Sequence, residues 1–193
     1  MEIAILQHVD FEGPAEIENW CRQTGNEYKV YRLFLGEALP KAERTDFLVI
    51  LGGPMSVLDE LPWLEEERQL IRVLISQGKP VFGVCLGGQQ IAKTLGADIF
   101  QGDYREAGWL PIRTMKSETL GELPEELVVF HWHGEQFGLP EGAERLFTSE
   151  VCPNQGFIYK ENVIGLQFHF ESTKESIESI LQNDAAFLDG TAY

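Results

Sequence analysis

Residues 80–92 read Pro-Val-Phe-Gly-Val-Cys-Leu-Gly-Gly-Gln-Gln-Ile-Ala, and this stretch decides the fold. The apolar run at its start predicts a short buried strand, and the periodic segment at its end predicts a helix. Between them Gly83 and Gly87 flank Cys85, and glycine accepts the dihedral angles that a tight turn demands. A strand, a sharp turn and a helix in this order raise a nucleophilic side chain above a sheet.

The turn by itself leaves two interpretations of Cys85 open. A helix that begins just after the cysteine would point its amide N–H groups at the sulfur and favour the thiolate, as a nucleophile requires. The alternative is a small buried cysteine in an ordinary strand–helix connection. Motifs further along the chain are therefore needed to choose between them.

The rest of the chain predicts alternating strands and helices in its first half. Predicted strands are 3–6, 28–35, 46–51 and 80–84, and predicted helices are 14–23, 62–77 and 89–95. From residue 97 onward short β-like pieces follow one another, at 98–100, 108–114, 127–132, 145–148, 156–159 and 163–168, before a closing helix at 173–188. This order predicts one α/β domain over residues 1–193, a mostly parallel central sheet with helices on both faces and a small antiparallel extension.

Composition excludes several classes of partner. The chain has 193 residues, with 31 acidic against 15 basic side chains and a formal charge of −16, which disfavours nucleic acid and anionic membranes. The N-terminus lacks a basic segment followed by an apolar one, so we expect a cytoplasmic protein. Three cysteines without tight spacing predict no disulfide framework. We expect no metal and no cofactor, since His8 and His133 have no obvious partner ligands.

A second candidate element is the stretch Leu166-Gln167-Phe168-His169-Phe170-Glu171. In an extended strand, residues two apart point to the same face, so Glu171 can hold the imidazole of His169 in one orientation. This is the relation between base and orienting carboxylate in a catalytic triad, and Cys85 would supply the nucleophile. An exposed pair at a strand end is the alternative for His169 and Glu171.

These motifs together resemble those of class I, triad-type glutamine amidotransferases. Residues 83–92 resemble the family's nucleophile motif, 51–54 (Leu-Gly-Gly-Pro) its oxyanion loop, and 167–171 its Gln-Phe-His-Pro-Glu signature. Segments 131–135 (His-Trp-His-Gly-Glu) and 154–157 (Asn-Gln-Gly-Phe) are similar to a stand-alone branch related to the glutaminase domain of GMP synthase. The family resemblance implies a flavodoxin-like fold. One position departs from the pattern, because Phe170 stands where the family has proline.

The resemblance implies a role for each matched residue. Cys85 would attack the side-chain amide of glutamine, His169 would transfer the proton, and Glu171 would orient His169. The backbone N–H groups of Gly53 and Leu86 would form the oxyanion hole. Three further residues, Gln89, Trp132 and His133, would contact the substrate. The implied reaction converts glutamine to glutamate and ammonia through a γ-glutamyl thioester.

The sequence leaves the biological setting of that reaction open. A separate synthase subunit could receive the ammonia, or the protein could act alone on γ-glutamyl peptides or conjugates. A third interpretation is a non-catalytic regulatory module of the same fold. In each case the expected ligand is a small molecule, glutamine or another γ-glutamyl compound.

Overall fold

Nine strands and four α-helices account for most of the described chain. The computed structural model describes residues 1–189, with strands β1 (Glu2–Gln7), β2 (Glu27–Arg32), β3 (Phe47–Ile50), β4 (Val81–Val84), β5 (Ile99–Thr114), β6 (Glu126–Phe137), β7 (Glu144–Thr148), β8 (Gly156–Tyr159) and β9 (Val163–Leu166). The helices are α1 (Glu16–Gln23), α2 (Pro62–Ser76), α3 (Leu86–Thr94) and α4 (Lys174–Asn183), with 3-10 turns at Leu33–Leu35, Ala42–Arg44 and Ala185–Leu188. None of the helices within residues 1–189 has the length and apolar character needed to span a membrane.

The described strands form one sheet with a parallel and an antiparallel half. The order is β2-β1-β3-β4-β9-β8-β7-β5-β6. Pairing is parallel from β2 to β9 and antiparallel from β9 to β6. The order of the first four strands is that of doubly wound flavodoxin-like proteins. The predicted α/β fold is confirmed, and its antiparallel extension comprises four strands.

The alternating side chains of the parallel strands divide the core between the two faces of the sheet. On β1, Ala4 and Leu6 join one hydrophobic cluster, and Ile3 and Ile5 join the other. Buried side chains of α2 and α3 complete the first cluster, and those of α1 belong to the second. Helices therefore cover both faces, as a parallel sheet requires.

Several predicted elements have different bounds in the structure. The strand predicted at 28–35 ends at Arg32 and is followed by the 3-10 turn Leu33–Leu35, the helix predicted at 89–95 begins at Leu86, the strand predicted at 127–132 extends to Phe137, and the strand predicted at 163–168 ends at Leu166. The pieces predicted at 98–100 and 108–114 belong to one long strand, β5, because pairing with β6 continues after a register shift between Gln101 and Glu106. The closing helix α4 ends at Asn183 instead of residue 188. Thr173 caps its start with a reciprocal side-chain bond to Ser176, and the non-helical backbone of Asp184 ends it.

Close contact between α3 and the sheet explains the glycines around Cys85. A β-carbon on Gly87 would overlap the carbonyl group of Ile50 on β3, and one on Gly88 would overlap the carbonyl of Leu166 on β9. A β-carbon on Gly83 would collide with the backbone of Gly87. The glycines thus let the helix begin directly above the carboxyl ends of three strands.

We expect Gly87→Ala to lower the free energy of unfolding by about 1–3 kcal/mol or more, because the added methyl group has no room against β3. Chemical denaturation followed by circular dichroism measures this loss. Gly138→Ala is the matched control, since its β-carbon would lie 3.6 Å from the carbonyl oxygen of Asp98, an ordinary contact. Equal stability of the two variants would contradict the packing argument.

Candidate active site

Cys85 occupies the sharp turn between β4 and α3. Its backbone has φ 50° and ψ −112°, a combination that a residue with a side chain adopts only under local constraint. Its N–H group donates to the carbonyl of Leu166 at 2.8 Å, and the side chain is 7 % exposed. Cys85 is the N-cap of α3, so it lies at the end of the helix where the first backbone N–H groups have no partner within the helix.

His169 and Glu171 follow β9, the strand that pairs with β4. The N–H group of His169 donates to the carbonyl of Phe130 on β6 at 2.8 Å, which fixes its backbone. Its ring Nδ1 donates to Glu171 Oε1 at 2.7 Å. The sulfur of Cys85 lies within hydrogen-bonding range of the same ring. The structure therefore brings Cys85, His169 and Glu171 together, and their catalytic roles remain a prediction.

The surroundings of His169 favour its protonated form. Burial alone lowers the pKa of the ring, but the charge of Glu171 and hydrogen bonds to Cys85 and Glu171 together raise the pKa well above its usual value. A ring that binds a proton this firmly can take one from a neighbouring thiol.

Phe170 leaves the neighbouring pair intact. Its ring turns outward, is 53 % exposed and packs edge-to-face on Phe82 at a centroid distance of 5.4 Å. The bond between His169 and Glu171 on either side of it remains short. The side chain that replaces the family's proline therefore adds apolar surface outside the site.

Gly53 lies next to Leu86, the first residue of α3. A β-carbon on Gly53 would lie 3.2 Å from Leu86 Cδ2, so the loop after β3 packs directly on the turn after β4. The N–H group of Leu86 has no acceptor inside its own helix, because helices leave their first N–H groups unpaired. Both residues thus occupy positions from which backbone N–H groups could reach one anion.

Buried His8 braces the loop that carries Gly53. Its Nδ1 lies 3.0 Å from the carbonyl oxygen of Gly52, and its Nε2 lies 3.0 Å from Glu67 Oε2. Both partners are acceptors, so the ring donates at both nitrogens. Burial alone lowers the pKa of His8, but Glu67 and the carbonyl of Gly52 raise it above its usual value. Gln90 donates to the other oxygen of Glu67 at 3.0 Å.

A cavity of about 280 Å³ opens beside Cys85. Its walls include Gly53, Cys85, Gln89, Trp132 and His133 among the residues predicted from the sequence, and also Glu12, Arg105, Glu135 and Asp184. The other predicted residues lie behind this wall: His169 and Glu171 line a narrow recess together with Glu12, and Leu86 is buried. The cavity is thus a pocket with the thiol at one wall and charged side chains around it.

Trp132, Gln89 and His133, three predicted substrate-binding residues in the cavity wall, make contacts through different chemical groups. The carbonyl of Trp132 accepts from the Cys85 thiol at 3.7 Å, and its indole N–H donates to Asp184 at 2.8 Å. The side-chain amide of Gln89 donates to the carbonyl of Glu135 at 3.3 Å. The side chain of His133 is 1 % exposed and its Nε2 lies 3.0 Å from a carboxylate oxygen of Glu106. The side chain of His133 is therefore already engaged, which leaves its backbone for a ligand.

Sequence reasoning missed three buried polar side chains near the cavity. Glu106 and His131 lie beside His133, and burial lowers the pKa of His131 to about 4, so that its ring is neutral. Glu12 lies next to Gly52 and faces His169. The spacing of His131 and His133 on one strand was a signal in the sequence, whereas Glu12 and Glu106 carried none.

We expect iodoacetamide at neutral pH to alkylate Cys85 before the other two cysteines. Burial raises the pKa of Cys152 to about 12 and also raises the pKa of Cys21, and both thiols are fully enclosed. Peptide mass spectrometry of briefly treated native protein measures the order, and denatured protein, in which all three react, is the control. Equal labelling in the native protein would contradict the assigned environment of Cys85.

We expect Glu12→Gln to raise the stability of the protein at neutral pH. Burial raises the pKa of Glu12, so the folded state holds its proton more tightly than the unfolded chain does. The stabilising contribution of this group is complete below the unfolded pKa and is lost as the pH rises through the folded pKa. Thermal unfolding should show a melting temperature a few degrees above wild type at pH 7, with the difference shrinking toward a pH of about 4.

Glu27→Gln, at an exposed position on β2, controls for the change in net charge. A Glu12→Gln protein that melts at or below the wild-type temperature at neutral pH would show that the carboxylate stabilises the fold.

Comparison with known proteins places this chain in a family. The chain is 33 % identical over 193 residues to YfeJ, a glutamine amidotransferase-like protein of Salmonella typhimurium, with 95 % of this chain and 81 % of the relative covered. It is also 35 % identical over 134 residues to a glutamine-hydrolysing GMP synthase of Bacillus cytotoxicus, with 68 % of this chain and 25 % of the synthase covered. The chain thus spans about a quarter of the length of the synthase.

A solved structure and a family model indicate the same family as these relatives do. The crystal structure of a glutamine amidotransferase from Thermotoga maritima superposes with a TM-score of 0.90 at 34 % identity, covering 97 % of this chain and 84 % of the other. The model of the family described as glutamine amidotransferase class-I matches residues 13–186. The chain therefore belongs to the class I glutamine amidotransferase family.

Proposed function

We propose that the protein hydrolyses the γ-carboxamide of glutamine through a γ-glutamyl thioester on Cys85. One observation carries the proposal: Cys85, held at the start of α3, contacts an imidazole whose other nitrogen is bonded to Glu171 at 2.7 Å. The proposed nucleophile therefore contacts the proposed base, and the base contacts the orienting carboxylate. Covalent acyl transfer requires these two contacts. A non-catalytic module would not need this constrained arrangement.

In the first step His169 takes the proton of the Cys85 thiol. The sulfur attacks the amide carbon of the substrate, and the carbonyl oxygen becomes an oxyanion. Glu171 holds the ring in the orientation for both proton transfers and stabilises the imidazolium that forms. The imidazolium then gives its proton to the departing nitrogen, and ammonia leaves.

The oxyanion would accept hydrogen bonds from the backbone N–H groups of Gly53 and Leu86. The Gly53 N–H belongs to the same planar peptide unit as the Gly52 carbonyl, which His8 holds at 3.0 Å. The ion pair of His8 with Glu67 therefore acts as a positioning device for this donor. One such donor typically contributes about 3–4 kcal/mol to lowering the barrier.

In the second step a water molecule attacks the thioester while His169 accepts its proton. The carbon–sulfur bond breaks, the proton returns to the sulfur, and glutamate leaves. Glutamine and water are thus consumed, and glutamate and ammonia are produced. The chemistry requires a reduced thiol, which suits the cytoplasmic location predicted from the sequence.

The cavity walls carry groups suited to an amino acid. Arg105 offers a cation for an α-carboxylate, and Glu12, Glu135 and Asp184 offer carboxylates for an α-ammonium group. Gln89 can exchange its bond to the Glu135 carbonyl for one to the substrate. These groups support the prediction that Gln89, Trp132 and His133 contact the substrate. The contact of His133 would use its backbone, because its ring is enclosed.

The fate of the ammonia separates two forms of the proposal. The GMP synthase that this chain resembles is glutamine-hydrolysing, and this chain matches only a quarter of it, so a separate synthase subunit could receive the product here. The alternative is a stand-alone hydrolase of γ-glutamyl peptides or conjugates.

Rapid-quench mass spectrometry with glutamine tests the chemistry. We expect a γ-glutamyl adduct on Cys85 in wild type, none in Cys85→Ala, and a turnover rate in Glu171→Gln that is lower by about 10²–10⁴-fold. Cys21→Ala removes a distant thiol and is the matched control, with wild-type turnover. Ammonia release that persists in Cys85→Ala would contradict the mechanism.

The same assay with γ-glutamyl amides of increasing leaving-group size identifies the substrate class. Faster turnover of large amides than of glutamine favours the stand-alone hydrolase, and co-purification with a synthase favours the ammonia donor. If none of these compounds acylates Cys85, the proposed function is wrong.

A further inference from the structure

Three buried side chains converge between β5 and β6, next to the cavity wall that His133 helps to form. His131 and His133 lie two residues apart on β6 and so share one face. Glu106 on β5 pairs with His133, at the first position after the register shift between the two strands. Their side chains are at most 2 % exposed. The reaction proposed above uses none of these three side chains.

The three nearest ligand atoms have the spacing of a metal site. Glu106 Oε2 lies 3.0 Å from His133 Nε2 and 3.9 Å from His131 Nδ1, and the two ring nitrogens lie 3.5 Å apart. A point equidistant from these atoms lies about 2.0 Å from each, the length of Zn–N and Zn–O bonds in proteins. Among residues 1–189 this is the one group of three or more potential ligands in such an arrangement.

The hydrogen bonds of these three side chains leave one position at which a cation can bind. His133 Nδ1 faces the carbonyl oxygen of Glu135 at 3.2 Å, which requires a proton on that nitrogen. A neutral ring then has only a lone pair at Nε2, directed toward the carboxylate of Glu106. Two acceptors at 3.0 Å need a cation or a second proton between them. A ring nitrogen fixed by a backbone carbonyl is also the usual outer contact of a metal-bound histidine.

The carboxylate of Glu106 is itself oriented by further bonds. Ser149 donates to Oε1 at 3.0 Å, and the side-chain amide of Gln155 donates to Oε2 at 2.7 Å. The amide oxygen of Gln155 is buried without a hydrogen-bond partner within the described chain. The bonds from Ser149 and Gln155 therefore hold both oxygens of the Glu106 carboxylate in place.

We propose that Glu106, His131 and His133 bind one Zn²⁺ ion that ties β5 to β6. Two imidazoles and one carboxylate are ligands that zinc accepts, with a fourth position left for water or another oxygen. The ion would fix the register of β5 just after its irregularity. It would also hold the strand segment of Trp132, whose carbonyl contacts Cys85. The role is structural support of the cavity wall, and it departs from the sequence expectation of no metal.

The competing explanation is a protonated His133 that bonds to Glu106 without a metal. The pair of His8 and Glu67 shows that this protein does bury such an ion pair. A third ligand, the ring nitrogen of His131, distinguishes the cluster at His133 from that pair. Metal binding decides between them, since an imidazolium does not coordinate.

The test is titration of chelator-treated, full-length protein with Zn²⁺ and Co²⁺, by calorimetry and visible spectroscopy. Cys85→Ala protein is titrated in parallel, so that metal at the catalytic thiol is not mistaken for this site. We expect one equivalent bound in both proteins and the intense Co²⁺ absorption of a four-coordinate site. Glu106→Gln should weaken binding tenfold or more, and Zn²⁺ should raise the melting temperature of wild type.

Glu126→Gln, at an exposed position on β6, the strand that carries His131 and His133, is the matched control and should bind metal as wild type does. Binding well below one equivalent in both wild type and Cys85→Ala would overturn the proposal in favour of the imidazolium. Unchanged affinity in Glu106→Gln would overturn it as well. If that variant does not fold, His131→Gln replaces it, and the wild-type stoichiometry still decides the question.

Discussion

The contact of α3 with the carboxyl ends of β3, β4 and β9 is the constraint on which the rest of the structure depends. At Gly87 and Gly88 the helix backbone lies so close to the carbonyl groups of Ile50 and Leu166 that a side chain would not fit. The chain can enter such a helix only through an abrupt turn, and Cys85 takes up the positive φ of that turn. The strain at Cys85 thus follows from packing that stabilises the core.

The antiparallel half of the sheet completes the arrangement that the parallel half begins. β9 pairs with β4 and so delivers His169 to the edge where Cys85 lies. The backbone of His169 is then held by Phe130 on β6, the strand farthest from β2 in the sheet order. β9 and β6 thereby fix one imidazole together, and a change in the register of β6 would move both His169 and Trp132.

Buried charged groups support the walls of the cavity. They make the walls rigid, but burying each of them costs hydration energy. His8 with Glu67 supports one wall, and His133 with Glu106 supports the other. A buried charge is stabilised only when its remaining atoms are hydrogen-bonded, and Gln90 and Gln155 donate such bonds to Glu67 and Glu106. Burial raises the pKa of Glu12, and although the charges of His169 and His8 lower it, the charges of Glu171 and Asp184 raise it further, so the net shift is upward. Stability and site chemistry are therefore in tension at Glu12.

Local sequence determined the parallel half of the fold and pointed to Cys85, His169 and Glu171, the three residues that the structure brings together. Apolar runs of four to six residues and the glycines near Cys85 act within a few positions, and the spacing of His169 and Glu171 is a property of one strand. Tertiary structure decided what depends on register between distant segments. It joined the two predicted pieces of β5, placed Glu67 beside His8 across 59 residues, and brought Glu106 to His133. A single chain encodes such pairings only in the packing of the whole sheet, because no local pattern marks which carboxylate will meet which imidazole.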